Sequence, residues 1–216
     1  MKKSMIKVKI CGITNYDDAS MAVKLGADAL GFIFASSPRK ITPELARYII
    51  QDLPPFVKSV GVFVNEDLRV IRDVIDHCGI DLVQLHGDES PEFCGQFMPR
   101  SIKALRIRDD SILKSISSYK GKIKAFLLDT YSKDMAGGTG KIFDWDLALK
   151  IKKSGVPIIL AGGLGPDNIE NAVSSVKPYA IDVNSGIEES PGKKSHILMR
   201  ELFEKIRLIR YKNIFG

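Results

Sequence analysis

The sequence predicts an α/β fold, a closed parallel (β/α)8 TIM barrel, and three observations carry that expectation. Short runs rich in β-branched residues alternate with longer amphipathic segments along the whole chain, with no Pro/Ser-rich linker between them. The strand candidates number eight. The chemically distinctive residues follow many of these strands instead of one, which a closed sheet explains, because it brings the C-terminal end of every strand to a single rim. A doubly wound open sheet also alternates strands and helices, but it usually has fewer strands and keeps its ligand motif at one switch point.

The predicted strands are Ile6–Ile10, Ala29–Phe34, Lys58–Val64, Asp81–His86, Ile102–Ile107, Ile123–Asp129, Pro157–Ala161 and Ala180–Val183. Each is a short apolar run bounded by polar or turn-forming residues. The helices between them are expected near 16–25, 43–52, 66–77, 90–97, 110–118, 144–153, 166–175 and 195–210. Thr42-Pro43-Glu44, Ser90-Pro91-Glu92 and Gly165-Pro166-Asp167 each place proline near a first helical position with an acid after it. The basic, apolar tail Arg207–Gly216 either caps the bottom of the barrel or extends the last helix.

At 216 residues the chain lies near the compact end of the barrel range, so residues 1–216 are expected to form a single catalytic domain. Hydrophobic residues make up 44% and charged ones 27%, ordinary globular values that speak against disorder or a fibrous repeat. No apolar run approaches bilayer length and the opening residues lack a signal-peptide core, so a cytoplasmic protein without membrane contact is expected. Cys11, Cys78 and Cys94 fit neither a disulfide framework nor a metal site, and reduced thiols are expected. The net charge of +6 is spread along the chain without an aromatic-interleaved basic cluster, which argues against nucleic acid and suits an anionic small-molecule substrate. His77 and His196 fall in helical patterns and no histidine pair has ligand spacing, so no metal is expected. Monomer and homodimer stay equally open.

The two-residue period of a strand assigns the faces. In the first strand Ile6, Val8 and Ile10 must meet the helices, which turns Lys9 and Cys11 into the barrel with Cys11 at the rim. A free cysteine is often only a small buried hydrophobe, but a lysine beneath it would favour the thiolate and lower its pKa below the roughly 8.5 of a free thiol. In the sixth strand Ala125, Leu127 and Asp129 share a face, so Asp129 looks into the same interior, as a proton-transfer partner or as a simple cap. In the eighth, Ala180, Asp182 and Asn184 point inward, which sets Asp182 beside Lys9 as a buried ion pair beneath Cys11.

The rim offers further groups. Gly162 and Gly163 after the seventh strand, with Ser185 and Gly186 after the eighth, let backbone N–H groups approach an anion where many barrels bind phosphate. Arg39, beyond the second strand, suits a substrate carboxylate or a surface salt bridge. His86 is either a satisfied structural histidine or a ligand contact. Gly137-Gly138-Thr139-Gly140 reads as a mobile loop without Walker spacing, so no nucleotide is implied.

Taken in chain order, Lys9-Ile10-Cys11-Gly12-Ile13-Thr14, Ser37-Pro38-Arg39, Gln84-Leu85-His86-Gly87, Leu127-Leu128-Asp129-Thr130, Gly137 to Gly140, Ala161-Gly162-Gly163-Leu164 and Asp182-Val183-Asn184-Ser185-Gly186-Ile187-Glu188 resemble the phosphoribosylanthranilate isomerase family. The motifs cover essentially the whole chain; Asn184 and Ile187 stand where the family usually has Ser and Val. The resemblance implies an Amadori rearrangement in tryptophan biosynthesis, without a cofactor. It makes Asp129 the general acid that opens the ribose ring, Cys11 the base that removes the C2 proton, Arg39 the receptor of the anthranilate carboxylate, and the last two loops the phosphate site. An indole-glycerol-phosphate synthase would carry an N-terminal extension with catalytic lysine and glutamates, and a histidine-pathway aminoaldose isomerase an aspartate in place of Cys11. A non-catalytic barrel that only binds a phosphorylated ligand is the rival of a different class.

Overall fold

The computed structural model describes residues 5–106, 110–129 and 145–215. Its strands are β1 (Lys7–Ile10), β2 (Ala29–Ile33), β3 (Lys58–Phe63), β4 (Leu82–Leu85), β5 (Ser101–Arg106), β6 (Ala125–Asp129), β7 (Ile158–Ala161) and β8 (Ala180–Val183). They pair in parallel in sequence order, and β8 returns to β1 with Lys9 opposite Asp182, which closes the barrel. Helices α1 (Tyr16–Leu25), α2 (Pro43–Gln51), α3 (Leu68–Cys78), α4 (Pro91–Gly95), α5 (Leu113–Ile116), α6 (Trp145–Lys152), α7 (Ile169–Val176) and α8 (His196–Phe215) alternate with the strands.

Local chemistry explains most boundaries. Asn15 caps α1 by accepting from the Asp18 amide at 2.8 Å, and Gly26 ends it at φ +106. Thr42 and Ser90 cap α2 and α4, each followed by proline at the first helical position, as expected. Two expectations are corrected. Segment 110–118 is not one helix: it divides into a 3₁₀ turn at Asp110–Ile112, α5, and a second 3₁₀ turn at Ser117–Tyr119. Its serine-rich stretch bonds its own backbone, Ser115 to the Ile112 carbonyl at 2.9 Å and Ser118 to that of Ser115, and so competes with helix propagation. The seventh helix begins at Ile169, not at 166, because the Asn168 side chain turns back to accept from the Gly165 amide at 3.0 Å.

The side chains form two apolar layers. Val60, Ile102, Ala104, Ala125, Leu127, Ile159, Ala161 and Ala180 fill the barrel. Val8, Ile10, Leu30, Phe32, Leu85, Phe126, Leu128, Leu160, Ile181 and Val183 pack outward against the helices. The alternation between layers is the strand period itself. At the bottom, Arg210 of α8 donates to the Ile6 carbonyl at 2.9 and 3.1 Å and meets Asp28 at 2.9 Å. The tail therefore does both things considered for it: it extends α8 and latches the base of β1. No described helix is long and apolar enough to cross a membrane.

Candidate active site

Cys11 follows β1 directly, is buried, and donates its backbone amide to the Val183 carbonyl at 2.9 Å, which ties it to β8. Beneath it the Lys9 ammonium meets Asp182 at 2.9 Å, with both side chains nearly inaccessible. The ion pair expected from strand parity is present. Gly31 of β2 makes the room: a Cβ there would lie 2.7 Å from the Cys11 Sγ and 3.0 Å from the Lys9 Nζ. Burial, helped by the Asp182 charge, pushes the Cys11 thiol up, against the pull of Lys9 and, more weakly, Lys194. This corrects the expected lowering, because desolvation of a fully enclosed thiol outweighs one lysine that already shares its charge with a carboxylate. Lys9 is itself lowered by burial, but Asp182 and Cys11 more than offset this, and its ammonium is held above the ordinary range. Cys78 and Cys94 are buried free thiols in the helical layer.

Asp129, at the end of β6, accepts from His86 across 3.2 Å, and the Nδ1 of His86 lies 3.0 Å from the Gln84 amide. Both the carboxylate and the imidazole stay partly exposed at the rim. His86 is thus partnered by the proposed acid and still partly exposed at the rim, which fits either reading kept for it. Arg39 is likewise in an ion pair, though not a surface one. Its Nε and Nη2 hold both oxygens of Glu188 at 2.7 to 3.0 Å, and the Glu188 side chain is only 5% exposed.

Glu188 and Lys194 were given no role by sequence reasoning. They face each other on a short antiparallel hairpin after β8, formed by β9 (Glu188–Ser190) and β10 (Lys193–Lys194), and meet at 2.9 Å. The signal was present: Ser190-Pro191-Gly192-Lys193 has proline and glycine at the central positions of a type II turn, and Gly192 adopts φ +86. Lys194 also donates to the Asn184 side chain at 2.8 Å, so Arg39, Glu188, Lys194 and Asn184 form one network over Cys11. Gly12 is required beneath it; at φ +72, a Cβ would come within 2.6 Å of the Asn184 Oδ1 and 3.0 Å of Arg39. The two cations hold Glu188 below the usual carboxylate range despite its burial, whereas burial leaves Lys194 below the ordinary ammonium range.

The loops after β7 and β8 touch. A Cβ at Gly186 would collide with the Leu164 carbonyl, and one at Gly165 would lie 2.9 Å from the Gly186 carbonyl. Gly162 and Gly163 adopt φ +90 and +63, and a Cβ at Gly163 meets nothing within 4 Å. Gly162, Gly163, Ser185 and Gly186 therefore lie in two mutually packed loops. The Gly137 to Gly140 motif and Thr130 lie outside the described residues. Among the described residues no cluster of three or more His, Cys, Asp or Glu side chains is arranged to hold a metal.

Comparison with known proteins agrees with the barrel fold. Residues 8–205 match the family model described as N-(5'phosphoribosyl)anthranilate (PRA) isomerase. A protein of Pelobacter propionicus named N-(5'-phosphoribosyl)anthranilate isomerase is 54% identical over 198 residues, covering 91% of this chain and 93% of its own. The phosphoribosyl anthranilate isomerase structure from Thermotoga maritima superposes with a TM-score of 0.86 at 43% identity, covering 94% and 99% of the two chains. A second isomerase structure, solved in complex with reduced 1-(o-carboxyphenylamino)-1-deoxyribulose 5-phosphate, gives a TM-score of 0.84 at 41% identity, with the same coverage. The chain belongs to the N-(5'-phosphoribosyl)anthranilate isomerase family.

Proposed function

We propose that this chain isomerises N-(5'-phosphoribosyl)anthranilate by general acid-base catalysis, with Asp129 as acid and Cys11 as base. Membership of the family makes it an isomerase of tryptophan biosynthesis. The observation that carries the mechanistic reading is the convergence of two titratable groups from β1 and β6 on the interior of one barrel end, with a cation beneath one and a histidine against the other.

Asp129 donates a proton to the ribose ring oxygen, the C1–O bond breaks, and the anilino nitrogen forms a Schiff base with C1. The Cys11 thiolate then removes the C2 proton, and the C–H electron pair forms the C1–C2 double bond of an enolamine. Tautomerisation places a proton on C1 and removes one from the C2 hydroxyl, which leaves the 1-deoxyribulose ketone. Two protons are supplied and two removed, so the reaction is a net isomerisation. A thiolate in a dry site is scarce at neutral pH but is the stronger base once formed, which suits abstraction from carbon.

Arg39 supports recognition of the anthranilate carboxylate. Glu188 occupies the Nε–Nη2 side of the guanidinium, which fixes the plane of the fork and directs its Nη1 end to a second carboxylate. The packed glycine loops after β7 and β8 support a phosphate site, in keeping with the 5-phosphate of the ligand in the related complex. The test is loss of the fluorescence of phosphoribosylanthranilate on adding the purified protein. A protein that bound the substrate without consuming it would be a phosphorylated-ligand binder and not this enzyme.

A further inference from the structure

A general acid must carry its proton at the working pH, and an isolated carboxyl group with a pKa near 4 is protonated only about once in 10³ at pH 7. The surroundings of Asp129 supply a remedy. His86, at the end of β4, places Nε2 3.2 Å from the Asp129 Oδ2. Behind it Gln84, whose side chain is buried at 1% exposure, presents its amide Nε2 to the His86 Nδ1 at 3.0 Å. In that arrangement Nδ1 accepts, so the ring hydrogen sits on Nε2 and is donated to an Asp129 carboxylate. The other half of the same carboxamide is unsatisfied: Gln84 Oε1 is buried and has no hydrogen-bond partner among the described residues. A half-turn of the carboxamide would bring that oxygen against Nδ1 and set the NH2 in its place, so one half of the group is left over either way and the hydrogen on Nδ1 decides which half faces the ring.

That turn is favourable only when Nδ1 carries a hydrogen. We propose that His86 and Asp129 share a stored proton and that Gln84 is the positioning residue whose carboxamide turns to admit it. This rests on Asp129 being the acid of the reaction. A proton from solvent enters the partly exposed pair, His86 becomes doubly protonated, and Gln84 Oε1 accepts from Nδ1–H. Moving the Nε2 proton to Oδ2 then gives neutral Asp129 held against a neutral imidazole, with no change in the number of protons. This carboxyl donates to the substrate ring oxygen, and the pair is left one proton short until it is refilled.

The charged groups around the pair, among the described residues, do not substitute for this. Arg106 is the register partner of Asp129 on β5. Asp88 lies two residues beyond His86, with its backbone amide donating to the Asn65 side chain at 2.7 Å. Glu89 and Lys103 are closed on each other at 2.6 Å, with Lys103 also donating to the Gly87 carbonyl, and Lys9 is closed on Asp182.

The experiment is the pH dependence of kcat between pH 6 and 9 for the wild-type chain, His86→Gln and Gln84→Glu. Glutamine places its amide nitrogen where the His86 Nε2 lies and can still donate to Asp129, but cannot store a proton. Its kcat relative to wild type should fall about tenfold or more between pH 6 and 9, with little change in KM, as expected for a shift of one unit or more in the group supplying the proton. Gln84→Glu offers Nδ1–H a permanent acceptor, so its relative kcat should rise with pH. Imidazole ¹⁵N shifts of His86, assigned by their loss in His86→Gln, should show Nδ1 protonation on the acid side of the same transition. Relative activities that stay constant with pH in both variants, or a His86 Nδ1 that never gains a hydrogen, would overturn the inference. Should Asp129→Asn keep wild-type turnover, the underlying assignment of the acid falls instead.

Discussion

Replacing Lys9 by methionine separates the electrostatic role of the buried pair from its structural one. Lys9 Nζ and Cys11 Sγ both crowd the space above Gly31, 3.0 and 2.7 Å from a Cβ placed there, so the two atoms are less than about 6 Å apart. At an effective dielectric constant near 20, charges at that separation interact by about 3 kcal/mol. Loss of the ammonium removes the largest influence opposing burial, so the Cys11 thiol should be pushed further up. The thiolate fraction at pH 8 would fall. Alkylation by iodoacetamide, followed at Cys11 by peptide mass spectrometry across pH 7–11, should show its midpoint displaced upward, with turnover reduced in parallel. Stability should fall by about 3–5 kcal/mol, because Asp182 is left buried without its counter-ion, and Lys9→Met/Asp182→Asn should recover much of that loss without restoring activity. An alkylation midpoint that is unchanged or lower in Lys9→Met would refute the reasoning and leave the pair with a structural role alone.

Arg39→Ala should weaken carboxylate-bearing ligands by about 2–4 kcal/mol, read as an increase in KM or as a loss of product-analogue binding in calorimetry; an effect under about 0.5 kcal/mol would remove Arg39 from recognition. The glycine loops allow a sharper comparison. Gly186→Ala collides with the Leu164 carbonyl and should lower Tm as well as phosphate affinity, whereas Gly163→Leu projects into open space at a left-handed φ and should weaken inorganic phosphate with a smaller loss of stability. Equal phosphate affinity in Gly163→Leu and wild type, by calorimetry, would count against this loop as the anion site. Alkaline pH should destabilise the fold. Cys94 is pushed up to about 11 by burial, and Cys11 is also raised, so the folded state holds protons that the unfolded state releases from about pH 8.5. The stabilisation is whole below that pH and is lost as pH rises through the folded values; Tm from pH 8 to 11 should fall, and Cys94→Ala should flatten the slope.

What the sequence reveals and what it hides follow from how local each feature is. Strand parity alone turned Lys9, Cys11, Asp129 and Asp182 into the barrel, because a helix-covered sheet leaves no other place for Val8, Ile10, Phe126, Leu128, Ile181 and Val183. Caps at Asn15, Thr42 and Ser90 are equally local. The Arg39–Glu188 contact spans 149 residues and depends on a two-strand excursion after the last barrel strand, so reading along the chain offered a guanidinium without its partner. The direction of the Cys11 shift was hidden for a related reason. Lys9 is visible two residues away, whereas the burial that outweighs it is made by the closed barrel.

The central claim is that Cys11 and Asp129 move the protons of the isomerisation, and turnover of phosphoribosylanthranilate by Cys11→Ser and Asp129→Asn, followed by fluorescence with folding checked by circular dichroism, tests it most directly. Each variant should lose about 10²–10⁴ or more in kcat with KM nearly unchanged, since each removes a group that acts in the transition state. Near-wild-type turnover in either folded variant would contradict the account.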